Sequence, residues 1–134
     1  STLFPYTTLF RSNGAMIMGV VPTKLEEHGR VSDLLDVTFH SVNLSDRKDI
    51  MLQDSDVMVA LPGGIGTLDE VFHVMAACSI GYHQKKVIFY NVEGFWNDLL
   101  AFLNRLEETH FVHRPLKNYF EVANTLEELT RLLE

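Results

Sequence analysis

The feature of this sequence that most constrains its fold is a strand-sized apolar run that leads into a glycine-rich turn and then into a helical pattern. Residues 56–61, DVMVAL, form the run, and residues 62–67, PGGIGT, follow it directly. After the turn, apolar side chains recur at helical spacing at Leu68, Val71, Phe72 and Met75. A buried strand followed by a glycine turn and a helix is typical of parallel α/β sheets, so we predict an α/β protein.

The same alternation of strands and helices continues on both sides of this turn. We predict further strands at 15–21, 36–42, 86–90 and 119–122, and helices at 45–53, 95–108 and from 126 onward. Thr125 and Glu128 have capping-box spacing at the start of the last helix, which we expect to bury Leu126, Leu129, Leu132 and Leu133. Because parallel strands end at a common edge where ligands bind, we expect 22–23, 62–67 and 91–94 to share that edge.

Composition narrows the classes of function. The 134 residues include 11 Lys and Arg against 18 Asp and Glu, and the net charge of −7 disfavours a nucleic-acid-binding surface. No apolar run approaches the roughly 18 residues of a membrane span, and the single cysteine, Cys78, excludes a Cys-rich zinc site. His110 and His113 have no third ligand nearby in sequence, so we predict no metal site. We expect a cytoplasmic protein with neither a membrane nor a nucleic-acid partner.

The glycine turn is suited to bind phosphate. Gly63, Gly64 and Gly66 let a ligand approach the backbone closely, and the following helix start supplies free N–H groups and a partial positive charge. No lysine follows the last glycine, as it would in a P-loop, and the spacing differs from the dinucleotide fingerprint. The turn therefore predicts phosphate binding without identifying the ligand.

Glu70 has two interpretations. Thr67 and Glu70 have the spacing of a capping box, so Glu70 could do no more than cap the helix. Alternatively, a carboxylate beside a phosphate site could act on another part of the ligand, such as a sugar hydroxyl or an attacking water. Arg47 and Lys48 also have two interpretations. They could face the same sheet edge, or they could form a solvated helix face beside neighbouring aspartates.

Together, these segments resemble the paired RK and PGGxGTxxE motifs of the LONELY GUY family. The RK pair is Arg47-Lys48, and the second motif is residues 62–70, PGGIGTLDE. The similarity runs from Met16 through Glu134 and includes 19–22, 81–83 and 91–95. It implies a Rossmann-like parallel sheet flanked by helices and a cytokinin riboside 5′-monophosphate phosphoribohydrolase activity.

The resemblance also implies the roles of individual residues. Arg47 and Glu70 would form the catalytic pair, and the substrate would be bound by Lys48, Pro62, Gly63, Gly64, Gly66 and Thr67. Cleavage of the N-glycosidic bond builds positive charge on the ribose, which a carboxylate stabilises while it positions water. The substrate would be an adenosine 5′-monophosphate, with or without an N6 substituent, and the products free cytokinin or adenine and ribose 5-phosphate. No cofactor is implied, and a homodimer is expected at full length.

The family's first strand, helix and second strand have no counterpart in this sequence. Residues 1–12, STLFPYTTLFRS, fit neither a helix nor a strand and resemble a translated sequencing adapter. We therefore expect 1–12 to be non-native and 13–134 to be a partial Rossmann-like nucleotide-binding domain. An alternative function is that of a non-catalytic nucleotide or molybdenum-cofactor carrier of the same superfamily. A pyridoxal-dependent decarboxylase has less support, because neither Lys85 nor Lys86 lies in a recognisable Schiff-base motif.

Overall fold

The computed structural model describes residues 18–22 and 37–134, which belong to two compact units, residues 1–54 and 55–134. The segment predicted to be non-native, 1–12, and the loop predicted at 23–33 lie outside the described residues. The proposed division of the chain at residue 13 therefore stays a prediction.

The first unit contains two parallel strands and one helix. Strand β1 (Met18–Pro22) pairs with β2 (Val37–Ser41), with Val20 opposite Phe39. Helix α1 (Leu44–Asp54) follows β2 and packs against both strands. The two strands and the helix predicted here are confirmed, with ends displaced by one to three residues.

The second unit is a three-stranded parallel sheet with helices. Its strands are β3 (Met58–Ala60), β4 (Val87–Tyr90) and β5 (Phe120–Ala123), in the order β3-β4-β5, and its helices are α2 (Ile65–Ser79), α3 (Asn97–Glu108) and α4 (Leu126–Leu133). Short 3₁₀ turns at Val92–Gly94 and Leu116–Asn118 complete it. The predicted α/β class, a parallel sheet flanked by helices, is confirmed.

In the described residues, strand pairing occurs within each of the two units. Residues 62–67 and 91–94 follow the neighbouring strands β3 and β4, as expected, whereas Pro22 ends a strand that pairs with β2 in the first unit. Strand pairing is a contact between distant parts of the chain, and local sequence patterns carry little information about it.

The core of the second unit is built on the central strand β4. Ile88 packs with Ala123 and Leu129 on one face of the sheet. On the other face, the Phe89 ring meets the Trp96 ring edge-on, with 5.4 Å between centroids. All five side chains are at most 8% exposed, so both faces of β4 are covered and its position is fixed by packing.

Helix α2 follows the predicted helical pattern closely, but α4 does not. The buried stripe of α2 consists of Val71, Val74, Met75 and Cys78, which confirms Cys78 as a small buried side chain. In α4 only Leu129 is buried, whereas Leu126, Leu132 and Leu133 are 65%, 37% and 50% exposed. The prediction that all four leucines are buried is therefore wrong for three of them.

Candidate active site

The loop after β3, residues 61–64, leads directly into the N-terminus of α2. Gly64 is the N-cap residue, and the first helical hydrogen bond runs from the Leu68 N–H to the Gly64 carbonyl at 3.1 Å. The N–H groups of residues 65–67 precede that bond, so they have no acceptor inside the helix. No side chain caps this helix and its first turn contains no acidic residue. The helix therefore presents N–H donors and a partial positive charge that suit an anionic group.

Residues 62–67, here called the glycine loop, contain three glycines whose surroundings differ. A Cβ added at Gly63 would overlap the Thr67 Oγ1 and lie 3.0 Å from the Thr67 Cβ, so the Thr67 side chain occupies that space. Among the residues that the structure describes, a Cβ at Gly64 or Gly66 would meet nothing within 4 Å. Gly63 is thus required by packing inside the loop, whereas Gly64 and Gly66 face open space where a ligand could approach the backbone.

The capping-box interpretation of Thr67 and Glu70 is wrong. Helix α2 begins at Ile65, so Thr67 is already its third residue, and no side-chain cap is formed. Pattern matching failed here because Gly66, a poor helix former, separates Ile65 from Thr67 and makes the helix look as though it starts later. The spacing of Thr67 and Glu70 therefore does not mark the start of this helix.

Glu70 lies in the second turn of α2, close to the loop. It follows Gly66 by four residues and Thr67 by three, so these positions share one side of the helix, and Glu70 lies about 6 Å and about 4.5 Å further along its axis. The side chain is half-buried, while its neighbour Asp69 is exposed. The structure thus places a partly shielded carboxylate one helical turn beyond the N–H groups at the start of α2.

Arg47 and Lys48 lie in the first unit, one turn into α1. Asn43 precedes this helix, and its Oδ1 accepts the Asp46 N–H at 2.8 Å, while the Asp46 carboxylate accepts the Val42 N–H at 3.0 Å. Both basic side chains are half-buried, which differs from the fully solvated face considered as an alternative. Their pairing with Glu70 stays a prediction.

Two residues that support the loop were missed by the sequence analysis. Asn91, buried at the end of β4, accepts the Trp96 backbone N–H on its Oδ1 at 2.7 Å. The Trp96 indole N–H donates to the carbonyl of Ala60, the last residue of β3, at 3.3 Å. The segment 91–94 was predicted as a loop at this edge, but an asparagine directly after an apolar run also signals a turn held by its side chain.

The lysines of the second unit lie far from the glycine loop. Lys85 and Lys86 precede β4, and Lys117 lies in the 3₁₀ turn before β5, at the amino ends of these strands. The glycine loop follows the carboxyl end of β3, which is the opposite edge of a parallel sheet, about 13 Å away for a four-residue strand. Lys86 pairs instead with Glu121 at 3.6 Å. Within residues 55–134, no lysine is placed beside the loop for a Schiff base.

Two other kinds of site were examined in the part of the chain that the structure describes. Residues 18–22 and 37–134 contain no group of three or more His, Cys, Asp or Glu side chains that could hold a metal ion. Among the same residues, no helix has both the length and the apolar character needed to traverse a bilayer. His110 and His113 are exposed, as predicted for surface histidines.

Comparison with known proteins agrees with the motifs. The family model described as "possible lysine decarboxylase" matches residues 6–133. The chain belongs to this family, the LONELY GUY proteins. Similar proteins of Arabidopsis thaliana include two cytokinin riboside 5′-monophosphate phosphoribohydrolases. One is 31% identical over 90% of this chain and 53% of its own length, and the other is 32% identical over 92% and 58%.

A rice relative extends the comparison. A protein of Oryza sativa subsp. japonica named "probable cytokinin riboside 5′-monophosphate phosphoribohydrolase" is 32% identical over 92% of this chain and 49% of its own length. The chain spans about half the length of the curated relatives it matches. Within this LONELY GUY chain, residues 62–70 thus combine the glycine loop, the uncapped helix start and the half-buried Glu70.

Proposed function

We propose that this chain is a phosphoribohydrolase that acts on adenosine 5′-monophosphates, including those with an N6 substituent. Water would add to C1′ of the ribose while the base leaves with a proton, which gives free adenine or cytokinin and ribose 5-phosphate. The relatives named for this activity on cytokinin riboside 5′-monophosphates support the substrate class. Water is the only co-substrate, so the proposal requires neither a cofactor nor a metal.

The 5′-phosphate would bind at the start of α2. Two loop positions, Gly64 and Gly66, leave open space beside the backbone, and the N–H groups of the first turn are available as donors. Gly63 and Thr67 pack against each other and hold the shape of the loop, which Pro62 enters after β3. Backbone donors of this kind fix the phosphate without using a basic side chain.

Glu70 would act on the ribose rather than on the phosphate. A carboxylate next to phosphate is repelled, but one helical turn beyond the phosphate it reaches the region of the sugar. As the glycosidic bond lengthens, the ribose acquires oxocarbenium character, which Glu70 would stabilise while orienting the attacking water. Half-burial of the side chain favours this role, because electrostatic stabilisation is stronger where water is partly excluded.

By family resemblance, Arg47 would be the catalytic partner and Lys48 a substrate ligand. Their assignment rests on the RK motif of the LONELY GUY family and on their half-burial in α1. An arginine can hold a phosphate or a base edge through paired N–H donors, which fits a positioning role during catalysis.

The observation that carries the proposal is the placement of Glu70, which is half-buried in the second turn of α2, one helical turn beyond the start of that helix. We predict that Glu70→Gln lowers turnover by about 10²-fold or more, the usual contribution of acid–base assistance, and melts close to wild type. Release of adenine from adenosine 5′-monophosphate, and of the N6-substituted base from its nucleotide, would be followed by chromatography.

The matched control is Asp69→Asn, which removes the same charge from the exposed neighbour of Glu70. This variant should retain turnover. Near-normal turnover by Glu70→Gln would contradict a chemical role for Glu70. Nucleotide binding without any base release by the wild-type chain would favour the carrier function instead.

We also propose that the full-length protein is a cytoplasmic homodimer. Phe72 on α2 is 40% exposed and Ile65, seven residues earlier on the same side, is 83% exposed. An interface that covers this side would border the glycine loop, because Ile65 lies within it.

A further inference from the structure

Asn91 joins the carboxyl ends of two neighbouring strands. Its backbone N–H donates to the Ala123 carbonyl at 2.8 Å, and its side-chain amide donates to the Asn97 Oδ1 at 2.8 Å and the Asn124 Oδ1 at 3.1 Å. The Asn91 side chain is therefore satisfied at both ends, since its Oδ1 accepts the Trp96 N–H. A backbone N–H can only donate, so this last bond also fixes which end of the amide is oxygen.

Trp96 extends this network to the third strand. Its indole is 3% exposed and is held between two aromatic rings, edge-on to Phe89 at 5.4 Å and to Phe95 at 4.8 Å. From this fixed position the indole N–H reaches the Ala60 carbonyl at 3.3 Å. A chain of hydrogen bonds thus runs from Asn124 after β5, through Asn91 after β4, to the last residue of β3.

The end of this chain lies next to the phosphate-binding loop. Only Leu61 separates Ala60 from the PGGIGT turn. The direction of the Ala60 carbonyl therefore helps to set where the backbone enters the turn. Tight packing passes displacements on, because a buried indole with rings on two sides cannot shift without moving its neighbours. We infer that Trp96 is a positioning residue for the glycine loop, held in place by Asn91. This inference rests on the proposed function only for the identity of the ligand.

The test compares two variants of the 134-residue chain. Trp96→Phe removes the indole N–H that bonds to Ala60 and keeps an aromatic ring in the core. The control Ile88→Val removes one buried methyl group from the opposite face of β4, so it lowers stability without touching that hydrogen bond. Two quantities are measured, namely the amide resonances of Gly63, Gly64 and Gly66 in ¹H–¹⁵N spectra, and the Kd for adenosine 5′-monophosphate.

We expect Trp96→Phe to displace the three glycine resonances and to raise the Kd about tenfold, because a displaced loop would lose about one hydrogen bond from its N–H groups to the phosphate. The Ile88→Val chain should melt lower yet keep both properties. Unchanged glycine resonances in Trp96→Phe would overturn the inference. If the wild-type chain binds the nucleotide, an unchanged Kd in Trp96→Phe would overturn it as well. A wild-type chain that does not bind adenosine 5′-monophosphate would contradict the proposed function, and the glycine resonances alone would then decide the inference.

Discussion

At the scale of single residues, the glycines of the PGGIGT turn are not equivalent. Gly63 is fixed by the Thr67 side chain, which fills the space that a Cβ would need. Gly64 and Gly66 face open space, and neither packing nor a left-handed backbone requires glycine there. Since the fold itself does not require glycine at positions 64 and 66, the simplest reason for glycine there is the close approach of a ligand to the backbone.

Substitution can separate these two requirements. We predict that Gly66→Ala leaves the free energy of unfolding unchanged or raises it by up to about 1 kcal/mol, since alanine is the better helix former. The same change should weaken binding of adenosine 5′-monophosphate about tenfold, because the new methyl group would occupy the approach to the backbone. Calorimetric titration and thermal melting measure the two effects.

Gly63→Ala provides the contrast. Its Cβ would overlap Thr67 Oγ1, so this variant should lose stability as well as binding. If Gly66→Ala bound the nucleotide as tightly as wild type, the open space beside Gly66 would not be ligand space.

The sequence shows where the candidate site lies more readily than it shows what each residue of the site does. Residues 62–70 stood out because glycine spacing and helical periodicity are local properties. The different surroundings of Gly63 and Gly66 depend on a distance to Thr67, and the role of Trp96 depends on a contact with Ala60, 36 residues away. Neither distance is encoded in a local pattern.

At the scale of elements, the four helix starts that the structure describes are of two kinds. Helices α1 and α4 begin with reciprocal side-chain caps, Asn43 with Asp46 and Thr125 with Glu128. Helices α2 and α3 have no side-chain cap at their N-cap residues, Gly64 and Trp96. What distinguishes α2 from α3 is the glycine-rich loop before it, where the backbone is open to a ligand.

The cap of α4 gives a direct stability test. Thr125 Oγ1 accepts the Glu128 N–H at 3.1 Å, and the Glu128 carboxylate accepts the Asn124 N–H at 2.6 Å. We predict that Thr125→Ala lowers the free energy of unfolding by about 0.5–2 kcal/mol, the usual cost of losing a cap. Urea denaturation followed by circular dichroism measures it.

The matched control lies in the same helix. Thr130→Ala removes an exposed hydroxyl that donates to the Leu126 carbonyl inside α4, so the backbone cap is untouched. Alanine also has the higher helix propensity, and the change should be neutral or slightly stabilising. Equal losses in the two variants would show that the Thr125 cap contributes nothing specific.

The capping box of α4 was predictable, but the burial of its leucines was not. Sequence periodicity shows that Leu126, Leu129 and Leu133 share a stripe, and the structure buries only Leu129 against Ile88 and Ala123. A pattern reveals which side chains face the same way. It does not reveal how far the surface that covers them extends.

At the scale of the whole molecule, α2 has apolar side chains on two sides. Its buried stripe faces the second unit's core, while Ile65 and Phe72 lie on another side at 83% and 40% exposure. Two apolar sides on one helix are more than a single sheet requires, and self-association is the simplest use of the second.

We predict that Phe72→Glu converts a homodimer into a monomer in protein extended to the length of its relatives, because a charge would be buried at the interface. Sedimentation velocity at micromolar concentration measures the change. Phe102→Glu is the matched control, since Phe102 is 45% exposed on α3 and lies on a different helix. A wild-type protein that sediments as a monomer would contradict the proposed dimer.

The fold class followed from alternating strand and helix patterns, but the grouping of strands did not. Each strand was recognisable from its own apolar residues, such as Val87, Ile88 and Phe89 in β4. Which strand pairs with which depends on contacts between distant segments, and β1 pairs with β2 while β3, β4 and β5 form a separate sheet.

The placement of Trp96 also gives this protein a built-in optical reporter. Trp96 is the single tryptophan of the chain, so all indole fluorescence comes from one buried ring. Its N–H is bonded to the carbonyl of Ala60, two residues before the first residue of the glycine turn. Emission intensity and wavelength should therefore respond when that turn closes on an anion, which allows nucleotide binding to be followed in unlabelled protein.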